Sequence, residues 1–109
     1  MMEEIIRYTP DMSWEDLGFF PGKGQVKTLR DEPPVGARTI IVRLPAGGEI
    51  VPHMHLAPVQ HYILEGEYKS EGKTFAAGTY RFLPKNADVA PISTKGGATI
   101  LMIYDPRER

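Results

Sequence analysis

Short runs of β-branched and apolar residues, cut at close intervals by glycine and proline, dominate this chain. Thr39–Leu44 reads T-I-I-V-R-L and stops at Pro45-Ala46-Gly47-Gly48, the pattern of a strand that ends in a turn. Val26–Leu29, Gln60–Leu64, Glu67–Ser70, Lys73–Ala76 and Thr79–Leu83 read the same way, with Glu65-Gly66, Glu71-Gly72 and Ala77-Gly78 as turns between them. Glu49–His55 continues extended, with Pro52 at an edge or bulge position. Ala98–Tyr104 (A-T-I-L-M-I-Y) is apolar enough to predict a strand buried on both faces. One helical turn is expected at Ser13–Leu17, where Ser13 can cap the start and Asp16 stands three residues on. Strands this short and this regularly punctuated predict an all-β fold, a small antiparallel β-barrel or jelly roll.

Composition agrees with that outline and narrows the function. The 109 residues make one domain, with an N-terminal arm over 1–20 and a barrel over 26–105. Glycine and proline together supply 21 residues, well above the average share of about 12%. Thirteen basic and fourteen acidic residues leave a net charge of −1, which argues against a nucleic-acid partner. No apolar run reaches the roughly 18 residues of a membrane helix, and Met1-Met2-Glu3-Glu4 is not a secretory leader. The expected location is cytoplasmic. The absence of cysteine removes disulfides, thiolate metal sites and a cysteine nucleophile together. Ile5, Ile6, Trp14, Leu17, Phe19 and Phe20 put so much apolar surface on the arm that it is expected to pack on the barrel or on a second subunit.

The three histidines, His53, His55 and His61, fall within nine residues. In an extended chain His53 and His55 project to the same side, as two neutral imidazoles must to share one ion. After the Leu56-Ala57-Pro58 corner, Val59, His61 and Ile63 alternate with Gln60, Tyr62 and Leu64. The apolar–His–apolar face is the one expected to point inward, making His61 a candidate third ligand. Gln60 is the alternative, since a one-residue shift of register exchanges the two faces.

At this point the chain resembles the cupins. Gly47–Gly66, G-G-E-I-V-P-H-M-H-L-A-P-V-Q-H-Y-I-L-E-G, is similar to their first motif: a glycine, His-X-His, a glutamate and a closing glycine. Gly78, Pro84, Asn86 and Val89 follow the spacing of the second motif. Trp14, Gly24, Lys27-Thr28-Leu29 and Gly36-Ala37-Arg38 are similar to the opening of ChrR-like cupins, the zinc-binding domains of certain anti-sigma factors. The resemblance implies a double-stranded β-helix, a divalent transition metal (Zn, Fe, Ni, Mn or Cu), a small-molecule ligand and a homodimer. The departures are specific. The motif's glutamate falls on Val59, or on Gln60 if four residues intervene, and its last histidine falls on Val89. A three-histidine set is known in a cupin dioxygenase that cleaves acetylacetone, but its third histidine comes from the second motif and does not map onto His61.

Tyr62, Tyr80, Phe82 and Asp88 are candidates to touch a bound molecule, with Arg81 on the face opposite Tyr80 and Phe82. No Ser/His/Asp set, carboxylate pair or phosphate loop offers a rival chemistry. Two readings follow. One is a metal-dependent enzyme, dioxygenase- or isomerase-like, acting on a small oxygen-rich organic molecule. The other is a metal-independent ligand-binding or sensor cupin whose metal site has degenerated.

Overall fold

The computed structural model describes residues 3–17, 24–51, 53–86 and 88–107, with the side chains of residues 53, 54, 88 and 89 outside that description. Among the described residues, eleven strands follow a 3₁₀ turn at Thr9–Asp11: β1 (Glu15–Asp16), β2 (Gln25–Glu32), β3 (Ala37–Leu44), β4 (Glu49–Ile50), β5 (His53–Met54), β6 (Val59–Ser70), β7 (Lys73–Ala76), β8 (Tyr80–Leu83), β9 (Asp88–Val89), β10 (Ile92–Ser93) and β11 (Ala98–Tyr104). All their pairings are antiparallel. The main sheet runs β1-β2-β3-β11-β6-β10-β4, with β7 and β8 also on β6, while β5 and β9 form a separate ribbon. The sheet curls into a half-barrel. The fold is all-β, as the sequence predicts.

Strand β6 organises the molecule. Its first half lies between β11 and β8, and its second half between β10 and β7. The sequence predicts two strands here, split at Glu65-Gly66. The structure instead carries one strand through a bulge, where Leu64 is the extra residue against Thr99 and Ile100. Gly66 has φ +73, and a Cβ there would run into the carbonyl oxygen of Gly97, so glycine is required on both counts.

The core lies between the curled halves. Ile40, Val42 and Leu44 from β3, Ala98, Ile100 and Met102 from β11, and Val59, Ile63 and Tyr68 from β6 are all buried. Contrary to the expectation for Ala98–Tyr104, only one face of β11 is buried; Thr99, Leu101 and Ile103 stay half-exposed because nothing covers the outer side fully. The expected helical turn at Ser13–Leu17 is also overturned. Glu15 and Asp16 pair with Val26 and Gln25, and the Leu17 amide donates to the Gly24 carbonyl. A single helical turn has a costly nucleus, and the open edge of β2 offers partners without one. Lys27 and Arg43 both stack on the Trp14 ring, 4.6 and 4.1 Å from its centroid, and Lys27 Nζ donates to the Thr9 carbonyl. Leu17 joins the core, Ile5 and Ile6 are exposed, and Phe19 and Phe20 lie outside the described residues. Among the described residues no helix is long and apolar enough to cross a membrane.

Replacing Gly66 by alanine is expected to destabilise the fold by about 2–3 kcal/mol, through the left-handed backbone and the clash together. A urea unfolding midpoint measured against the parent chain checks this.

Candidate functional site

Cross-strand registers lay out the inner face as rows. At one end Arg38, Tyr104, Val59 and Leu83 stand side by side on β3, β11, β6 and β8. The next row is Ile40, Met102, His61 and Arg81, and the one below it begins Val42, Ile100, Ile63. The odd residues of β6 before the bulge therefore point inward, and His61 is only 3% exposed. Beyond the bulge the parity reverses, so Tyr68 and Ser70 point inward, both buried.

Three side chains meet at His61. Its Nδ1 lies 2.9 Å from Tyr68 Oη, and the two rings meet edge to face at 5.9 Å. Arg81 Nη1 donates to the same phenol oxygen at 3.1 Å, with its guanidinium 4.5 Å from the centre of the Phe75 ring and Nη2 3.8 Å from Glu71. The Tyr68 hydroxyl is thus tied on both sides, and losing its acceptor in so dry a place would cost about 1–3 kcal/mol. Burial pushes the Tyr68 phenol above its ordinary pKa of 10.0, outweighing the hydrogen bond and charge of Arg81 that pull it down.

His55 sits at the end of the barrel, 7% exposed, with its ring edge-on to Tyr104 at 5.9 Å. The Arg38 guanidinium lies 5.7 Å over the other neighbour of this corner, the Tyr104 ring. Burial raises the Tyr104 phenol as well, more than the Arg38 charge lowers it. A crevice of about 90 Å³ opens beside His55 and Tyr104, bounded by Pro58, Asp105 and Arg107. The backbone of His53 pairs with Val89 across the β5–β9 ribbon, and Met54 pairs with Asp88. The side chains of His53 and Asp88 lie outside the described residues. Among the described residues, no three His, Cys, Asp or Glu side chains gather to hold an ion.

Gln60 and His61 are not interchangeable here. Gln60 points away from the barrel interior, where its amide accepts from Tyr80 Oη at 2.8 Å and reaches Asp105 at 3.5 Å. Tyr62, Tyr80 and Phe82, expected in a ligand pocket, also stand on the outer face, 42%, 56% and 53% exposed. The cause is alternation: once His61 and Arg81 face inward, their strand neighbours face out. Tyr68, Tyr104 and Arg38 were not singled out in the sequence. The signal for Tyr68 is Gly66, because only a bulge there brings an even-numbered residue to the side of His61.

The sequence matches the ChrR cupin-like domain over residues 2–107. The chain belongs to that family. A search among curated proteins finds no match. Solved structures with the same fold include an acetylacetone dioxygenase from Acinetobacter johnsonii, 20% identical over 95% of this chain and 74% of that one, with a TM-score of 0.82. An RmlC-like cupin from Shewanella frigidimarina is 21% identical over 98% of this chain and 94% of its own, with a TM-score of 0.78. The anti-sigma protein ChrR of Rhodobacter sphaeroides, solved with SigE, is 22% identical over 91% of this chain, with a TM-score of 0.72. This chain spans about half of that structure's length, 51%. These likenesses establish the cupin fold.

Tyr68 and Tyr104 are expected to ionise above the ordinary phenol range in a spectrophotometric alkaline titration. Because both phenols bind their proton more tightly folded than unfolded, their contribution to stability is full below pH 10 and is lost as pH rises through their folded pKa values. Ionisation of these two in the ordinary phenol range would contradict the burial described here.

Proposed function

We propose that this chain is a small metal-binding cupin that acts on a small oxygen-rich organic molecule. His53 and His55 are the residues that would hold the ion. The observation that carries the reading is the placement of buried imidazole in an otherwise apolar barrel. His55 is packed against Tyr104 at the barrel end, beside a crevice, in the His-X-His pair of the family motif. Imidazole suits Zn, Cu, Fe and Ni. The donor set therefore fits a divalent transition ion with positions left open for water and ligand. When bound, such an ion supplies Lewis acidity toward ligand oxygens, and iron would add dioxygen chemistry.

The protein's own groups do the rest. Val59, Met102 and Ile40 line the inner face around His61 and keep water from it. Tyr104, held under the Arg38 guanidinium, packs at right angles to the His55 ring and donates its hydroxyl to Met102 Sδ at 3.8 Å.

One observation favours the second reading, a metal-independent ligand-binding or sensor cupin. Val59 is 1% exposed where the motif places a glutamate, and Val89, opposite His53, stands where it places a histidine. Elemental analysis of chain purified without chelator separates the two. About one transition-metal ion per chain is expected, lost in the His53→Ala/His55→Ala variant. Zinc at a hundredfold excess over its Kd is then expected to raise the Tm of the parent by more than about 10 °C. No metal in the parent and no thermal response to any of these ions would favour the second reading.

A further inference from the structure

Arg81 carries hydrogen-bond donors and no acceptor, so in its 3.1 Å contact with Tyr68 the phenol oxygen is the acceptor. Tyr68 then has its own hydroxyl hydrogen to place. Among the described residues the acceptor within reach is His61 Nδ1, at 2.9 Å. Accepting a bond from a guanidinium polarises the phenol and strengthens it as a donor. Nδ1 of His61 must then present a lone pair, and the neutral ring carries its hydrogen on Nε2. The reverse arrangement has Nδ1–H donating to an oxygen already loaded by Arg81, with the phenol hydrogen stranded in a site 1% exposed. That tautomer is disfavoured by about tenfold or more.

We propose that Tyr68, keyed by Arg81, fixes His61 as a hydrogen-bond donor at Nε2 and so removes it from the ligand set of any ion in the barrel. In this form His61 presents an N–H rather than a lone pair at Nε2. This rests on the reading above, in which His53 and His55 hold the ion. Both nitrogens of His61 are committed, Nδ1 to Tyr68 and Nε2 to its hydrogen. Coordination would need the proton to move from Nε2 to Nδ1 and the Tyr68 hydroxyl to turn away from its acceptor. A ligating histidine normally gives its second N–H to a good acceptor. Tyr68, with Arg81 on its oxygen and Glu71 and Phe75 holding that guanidinium in place, is a poor one. Tyr68 and Arg81 are positioning residues that act through His61.

The test is a zinc competition titration against a chromophoric chelator on the full chain and on its His55→Ala, His61→Asn and Tyr68→Phe variants. Long-range ¹H–¹⁵N NMR of the zinc-free protein accompanies it. His61→Asn is expected to keep the parent affinity within about threefold and Tyr68→Phe to bind as tightly or tighter, while His55→Ala loses at least about tenfold. In the parent spectrum the His61 hydrogen sits on Nε2, and Tyr68→Phe gives a mixture of tautomers. A tenfold to hundredfold loss in His61→Asn or Tyr68→Phe, as expected when a ligand or the group supporting it is removed, overturns the proposal. So does a His61 hydrogen on Nδ1. If the parent binds no zinc, the metal reading falls, and the spectrum, which needs no variant to fold, still decides where the hydrogen lies.

Discussion

The bulge at Leu64, followed by left-handed Gly66, is the constraint on which the interior depends. A regular strand sends alternate residues to opposite faces along its whole length. Without the extra residue, β6 would keep His61 inside and turn Tyr68 out to solvent. With it, Val59, His61 and Ile63 face inward before the bulge, and Tyr68 and Ser70 face inward after it. One strand can then pair with β11 and β8 in its first half and β10 and β7 in its second. The same irregularity that closes the curled sheet also brings a phenol to an imidazole seven residues away in sequence.

That meeting explains how an apolar barrel tolerates so many polar groups. His61, Tyr68 and Arg81 stand among isoleucines, valines and a methionine, where an unpaired polar group is expensive. They satisfy one another in a line that ends near the exposed carboxylate of Glu71. Arg81 also lies over the Phe75 ring, so its charge is shielded from the core by a ring and from isolation by Glu71. Ser70, two residues beyond Tyr68, shows the limit of the arrangement: its hydroxyl is buried without a partner.

Much of this was legible in the sequence, and the gaps have physical causes. Glycine and proline mark chain reversals locally, so most strand boundaries from Thr39 to Tyr104 fall within a few residues of those predicted; the short β9 and β10 and the continuity of β6 were missed. His-X-His and the alternation after Pro58 gave the inward direction of His61, because period-2 patterning is a local property. What failed is non-local. Ser13–Leu17 carries a helix-capping pattern, yet the edge of β2, eight residues on, provides backbone partners that the pattern cannot reveal. Tyr62, Tyr80 and Phe82 are aromatic and so read as pocket lining, but facing is set by neighbours on other strands, and they stand outside. Tyr68 was missed because its parity is reversed by a bulge that reads, in sequence, as an ordinary Glu-Gly turn.

The position of His61 relative to the family motif bears on what it can replace. It follows Val59, where the motif places a carboxylate, by two residues, and two residues of extended chain span about 6.6 Å. His61 therefore stands one inner row away from the position the motif gives to its carboxylate. The registers put Val59 beside Tyr104, which touches His55, and put His61 one row deeper, beside Met102 and Arg81. Val59 thus contributes an apolar wall at the barrel end, and the buried imidazole of His61 stands one row further in.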